Sequence, residues 1–118
     1  MMKIEDGIIE PGSNVGIKIG FTKRKFDGYL YKKDNEMWIS VIISKDPGKG
    51  NVRALFDMIE SIGYEIIVPT PSVRMALICT LRNMVPATIE VDMEMGAALC
   101  MVSRKMYKQL KGRDYDGN

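Results

Sequence analysis

The sequence predicts an α/β (α+β) fold built on a mixed central sheet of about six to seven strands with two main helices. Three observations predict it. The segment from Trp38 to Ser44 (WISVIIS) is apolar apart from its serines and rich in β-branched residues, as a central strand covered on both faces requires. Asp46 to Gly50 then break the run, and Val52, Leu55, Phe56, Ile59 and Ile62 recur at helical spacing with Arg53, Asp57 and Glu60 opposite. A second buried-strand pattern, Tyr64 to Val68, follows, so strand, helix and strand succeed each other as in a βαβ unit with parallel strands.

The remaining elements are read in chain order. Met1 to Asn14, with Pro11, Gly12 and Ser13, reads as a loop segment. Val15, Ile17, Ile19 and Phe21 alternate with Gly16, Lys18 and Gly20, the period of a strand with one buried face. A basic turn leads to Gly28 to Lys33, where Tyr29 and Tyr31 alternate with Leu30 and Lys32, so these two segments form a hairpin that continues through Asp34 and Asn35 into the central strand. Asn51 is the expected N-cap of the first long helix and Gly63 its stop. Ser72 is expected to cap the second, with Val73, Ala76, Leu77, Thr80, Leu81 and Met84 on its inner face and Pro86 ending it. Ile89, Val91 and Met93 alternate with Glu90 and Asp92, and Ala97 to Val102 is apolar, which predicts a closing antiparallel hairpin around Glu94 to Gly96. From Lys105 the chain is charged and without period, a frayed helix and disordered tail. The expected organisation is a loop segment at 1–14, a single domain at 15–104 and a tail at 105–118.

Length and composition bound the function. The chain has 118 residues, 46% hydrophobic and 27% charged, which fits one globular domain. No apolar run approaches the roughly 20 residues of a membrane span, and the opening lacks a secretory pattern, so the expected location is cytoplasmic. Cys79 and Cys100 sit in apolar surroundings, as buried free thiols in a reducing compartment do. The chain contains no histidine. That excludes Cys-His and Ser-His catalysis and most zinc sites, and no metal is expected.

The segment that carries chemistry is the glycine turn. A strand that ends in such a turn and opens directly into a helix aims free backbone N–H groups and the positive end of the helix dipole at one point. Gly48 and Gly50 allow close backbone approach and Lys49 adds a mobile charge, so the natural ligand is a phosphate or pyrophosphate, with Ser44, Asn51 and Val52 completing the cradle. The spacing is neither that of a Walker loop nor that of the dinucleotide fingerprint.

The order of antiparallel strands, central strand, glycine turn, helix, strand, helix and final hairpin, with DPGKGNVRAL at the turn, resembles a small member of the GNAT N-acyltransferase superfamily over roughly 15–104. The family's turn is Gln/Arg-x-x-Gly-x-Gly/Ala followed three residues later by an apolar helix position. One register places Gly50 and Val52 at the glycine positions and satisfies the apolar site with Leu55; the other uses Lys45, Gly48 and Gly50 and puts Arg53 there. Packing favours the first. The resemblance implies acetyl-coenzyme A as cofactor, its pyrophosphate on the turn and its pantetheine arm in a splay between the two parallel strands, with acyl transfer to an amine. It further implies an acid in the helix PTPSVRMALICTLRNMVP, where the family's tyrosine position falls among Cys79, Thr80 and Leu81, and Cys79 is the candidate. Glu36 and Glu65 are the candidate bases. Minimal members of this kind are similar to those encoded by bacteriophages, which would place the chain in host cytoplasm or virion; either the unknown acceptor is large, a protein among the candidates, or the fold is kept for binding.

Two other readings stand beside it. Lys18, Lys23, Arg24, Lys25, Lys32 and Lys33, with Phe26, Tyr29 and Tyr31 among them, form a basic aromatic cluster that a nucleic acid would suit, against a solvated hairpin whose aromatics mostly pack inward. A non-catalytic GNAT-like assembly or virion protein, prone to self-association, would use methionines such as Met75, Met84, Met93, Met95 and Met101 as an adaptable surface.

Overall fold

The structure, a computed structural model, describes residues 3–92 and 96–116. Its elements are β1 (Gly7–Ile9), α1 (Asn14–Ile19), β2 (Phe26–Lys33), β3 (Glu36–Ser44), α2 (Asn51–Ser61), β4 (Glu65–Pro69), α3 (Val73–Leu81), β5 (Val85–Asp92), β6 (Gly96–Val102) and α4 (Arg104–Asp116). The fold is α+β with a mixed six-stranded sheet in the order β1-β2-β3-β4-β6-β5. By its internal contacts the chain divides into two compact units, Met1–Ile66 and Ile67–Asn118.

In the first unit β1, β2 and β3 form an antiparallel meander, with Ile9 opposite Leu30 and Tyr31 opposite both Ile8 and Trp38. Alternation puts Leu30, Met37 and Ile39 on the buried side, and Leu55, Phe56 and Ile59 of α2 and Ile19 of α1 are buried with them. The opposite side is not covered as a central strand would be. Val41 and Ile43 of β3 are exposed beside Tyr29 and Tyr31 of β2, so the aromatic pair faces outward, against the inward packing expected of it. β2 itself alternates strictly; the one-residue register shift lies in β3 and turns Val41 and Ile43 to the outer side although they share sequence parity with the buried Met37 and Ile39, a local detail that period-2 reading does not resolve.

The expected strand from Val15 to Phe21 is instead helix α1, and β2 makes its hairpin with β3. The reason is local capping. Ser13 Oγ accepts from the Gly16 N–H at 3.0 Å, and the Gly20 N–H returns to the carbonyls of Gly16 and Ile17. Gly16 is buried, where an added Cβ would lie 2.7 Å from the Glu10 carbonyl oxygen and 2.8 Å from that of Phe21. Only Ile19 of the alternating set within α1 is buried, while Ile17 is exposed. The segment expected to be loop up to Asn14 contains β1 and the start of α1.

Lys32 is the buried charged residue of this unit. Its Nζ lies 2.8 Å from Asp6 Oδ1, which also accepts from the Asp34 N–H at 3.0 Å, and the ammonium stands 5.4 Å from the Tyr64 ring centre. The hydrogen bond from Lys32 holds the Asp6 carboxyl below its ordinary 3.8, and the same bond holds Lys32 above its ordinary 10.5. The stabilisation from Asp6 is therefore present above about pH 3.8 and is lost as pH falls through its lower folded value; that from Lys32 is present below about pH 10.5 and is lost as pH rises beyond it. Asp6→Asn is expected to lower Tm at pH 7 and to melt together with the wild type near pH 2, which a pH series of thermal melts measures; an equal gap at both pH values would contradict the pairing.

In the second unit β4, β6 and β5 are antiparallel neighbours, with Val68 opposite Met101 and Ala87 opposite Cys100. Pro86 lies within β5, the outermost strand of the order, the place in a sheet where a residue without an N–H is tolerated. The hairpin turn expected around Glu94 to Gly96 falls largely on 93–95, outside the described residues, but the two strands flank it as expected. Ser72 caps α3 through the Met75 N–H at 3.2 Å, as expected. The inner face of α3 differs. Val73, Leu77 and Leu81 are exposed and Cys79 is buried, with Met75 and Ile78 half-buried, because a nine-residue helix apolar almost all round defines no unique face. The charged C-terminal segment forms α4, started by Ser103 Oγ accepting from the Met106 N–H at 3.0 Å and anchored by the buried Met106.

Candidate functional site

β3 ends at Ser44, and residues 45–50, all exposed, carry the chain into α2. Gly48 and Gly50 have φ of 86° and 78°, a left-handed backbone that costs other residues about 1–2 kcal/mol. A Cβ at either glycine would meet nothing within 4 Å, so the turn is open on its outer side. Gly50 itself is the N-cap of α2 and brings no side chain to its donors. Asn51, the expected cap, is the first helical residue, displaced from that role by the left-handed Gly50 before it. The Ala54 N–H closes on the Gly50 carbonyl at 3.0 Å. The N–H groups of Asn51, Val52 and Arg53 therefore lead the helix with its positive dipole end.

The two registers of the turn divide between backbone and packing. Leu55 is buried and Arg53 exposed, as the register on Gly50 and Val52 needs. The left-handed residues, however, are Gly48 and Gly50, the pair of the register that starts at Lys45, while Val52 is helical. Lys49 is exposed beside the turn, and Lys45 Nζ stands 3.5 Å from Asp27 Oδ1.

The candidate bases gather at the other end of β3. Glu36 opens the strand and its Oε1 accepts from Trp38 Nε1–H at 3.1 Å. Glu65 opens β4, its N–H donating to the Asn35 carbonyl at 2.8 Å. Eight strand steps separate Glu36 from Ser44, roughly 26 Å. A ligand that meets both the turn and these carboxylates must be extended.

Cys79 belongs to the second unit, near the end of α3, and is fully buried. Desolvation pushes its thiol up to about 11, so at neutral pH it is a protonated core group and a weaker acid than an ordinary thiol. Cys100, also free and buried, is raised by the same cause.

The basic cluster is not one surface. Lys18 is on α1, Lys23, Arg24 and Lys25 lie in the loop before β2, and Lys32 points to the buried side and is paired with Asp6, opposite in parity to Lys33. A shallow groove of about 290 Å³ lies between Glu10, Lys23, Asp27 and Lys45, floored by Phe26 and Gly28. Its two lysines and two carboxylates balance. Among the described residues, no three His, Cys, Asp or Glu groups come together as metal ligands, and no helix is long and apolar enough to cross a membrane.

What the sequence reading missed is the outward face of β1 to β3. Its signal was present in the spacing: a tight turn at Asp34 and Asn35 sets Lys33 opposite Glu36 and Tyr31 opposite Trp38, which puts the aromatics on one side. No protein-family model, no curated protein and no solved structure matches the chain.

Proposed function

We infer that the first unit binds acetyl-coenzyme A by its pyrophosphate at the turn from Gly48 to Val52, in a cytoplasmic GNAT-like N-acyltransferase whose acceptor is an amine. The single observation that carries this is the open turn itself, with two left-handed glycines, an N-cap without a side chain and the flanking cations Lys45 and Lys49. The order of elements through the final hairpin supports it, as does the buried Leu55. Glu36 or Glu65 would take the proton from the acceptor amine. Cys79 is a poor donor to the departing thiolate, since a buried thiol raised to about 11 holds its proton too firmly, so the thiolate leaves to solvent. That same observation favours, as a second reading, a chain that holds the coenzyme without transferring its acyl group.

Acetyl-coenzyme A at about tenfold over its Kd is expected to add about 1.4 kcal/mol, a Tm rise of roughly 5 °C. Gly50→Asp, which puts a carboxylate in the cradle, is expected to abolish the rise. Gly50→Asn tolerates the left-handed backbone without the charge and is expected to retain part of it. No rise at saturating coenzyme would end this reading.

A further inference from the structure

The outward side of β1 to β3 is an apolar surface that the coenzyme reading leaves unused. Ile8 is 64% exposed, Ile43 58%, Val41 43%, and Tyr29 and Tyr31 39% each, with Trp38 partly exposed among them. The strand register makes them neighbours: Ile8 stands opposite Tyr31, Tyr31 opposite Trp38, and Tyr29 opposite Val41. Single exposed apolar residues are ordinary, but six contiguous ones on one face of a sheet are the mark of an interaction site. Aromatic and aliphatic centre with charges only at the margin is also the anatomy of a protein interface.

The charges identify the occupant. On this same face β2 carries Asp27 at one end and Lys33 at the other, β3 carries Glu36 opposite Lys33, and Lys45, just past the end of β3, stands beside Asp27. These four corner charges are two cations and two carboxylates, and Lys23 and Glu10 beside Asp27 and Lys45 add one of each, a balance that attracts no polyanion. It is instead complementary to itself. Two copies packed face to face are related by a twofold axis lying between the sheets. An axis along the strands lays β2 over β3 of the other copy, so Lys33 meets Glu36 and Asp27 meets Lys45. An axis across the strands lays each strand over itself reversed, so Lys33 meets Asp27 and Glu36 meets Lys45. Both arrangements bring opposite charges together at all four corners and bury the aromatics in the middle. We propose that this face docks a second copy of the chain as an isologous dimer.

The test is the solution mass of the intact chain by sedimentation equilibrium, up to about 100 μM. A concentration-dependent mass of two chains is expected. Val41→Lys changes an exposed side chain at the centre, opposite Tyr29, so the monomer fold should persist by circular dichroism while dimer affinity falls about tenfold or more. Lys33→Glu is expected to weaken the dimer through like charge in either arrangement. Adding Glu36→Lys restores it if the axis runs along the strands, and adding Asp27→Lys restores it if the axis runs across them. A monomer at every concentration would overturn the proposal, as would a dimer indifferent to Val41→Lys and Lys33→Glu, or rescue by neither second change. Binding of a single-stranded oligothymidylate that is lost in Tyr31→Ala would assign the face to nucleic acid and overturn it equally. Acetyl-coenzyme A plays no part in these measurements, so their failure is separate from failure of the coenzyme reading.

Discussion

Gly28→Ala is expected to destabilise the protein by about 3 kcal/mol or more, since the added methyl would make the tightest backbone contact of any among the described glycines. Gly28 sits in β2 opposite Ile42 with φ of 108°, outside the range that an L side chain adopts without strain. Strain is the smaller part. A Cβ there would overlap the carbonyl oxygen of Val41 and lie 2.7 Å from its carbon, and both are backbone atoms of the paired strand. No rotamer change relieves such a contact, so β2 must move away from β3 and weaken the ladder that holds the first unit. Urea titration gives the measurement, as a fall in midpoint. A loss below about 1 kcal/mol would show that the two strands separate easily, and the close approach would then have no structural weight.

Phe56→Ala is expected to cost about 3–5 kcal/mol. Phe56 is fully buried on the inner face of α2, between Leu55 and Ile59 in register, and its ring is among the largest buried side chains of the chain. Removing it deletes apolar surface and leaves a void that only partial collapse can fill. Phe56→Leu keeps most of the volume and is expected to cost about 1.5 kcal/mol or less. The graded pair distinguishes packing from a general intolerance of change in α2. Because α2 carries the glycine turn at its start, the alanine variant should also lose the thermal response to acetyl-coenzyme A at temperatures where the leucine variant keeps it. Equal loss in both variants would mean that Phe56 acts through something other than filled volume.

Much of the secondary structure was legible because its signals are local. Ser72 before an apolar segment marks a helix start through one hydrogen bond, and Gly63 marks a stop through its left-handed backbone. β3 and β4 declared themselves by β-branched runs, and the turn between β3 and α2 by its glycines. The candidate anion cradle was therefore readable in outline, since Ser44, Gly48, Lys49, Gly50, Asn51 and Val52 are neighbours in sequence. Where local signals competed, the reading failed. Val15, Ile17, Ile19 and Phe21 alternate like a strand, yet Ser13 and Gly20 close a helix around Gly16, and the capping bonds prevailed over the period.

The sequence by itself determined which segments would be strands or helices wherever one backbone preference was uncontested, and it placed the glycine turn between them. Only the tertiary structure decided which side of each element is buried. The apolar residues of α3 surround the helix, so its burial of Cys79 rather than Leu77 or Leu81 follows from what packs beside it. Likewise Tyr29 and Tyr31 face outward because Leu30 and Lys32 pack on the other side, and the register shift in β3 brings Val41 and Ile43 out beside them. Backbone preference is a property of neighbours along the chain, whereas burial is a property of neighbours in space.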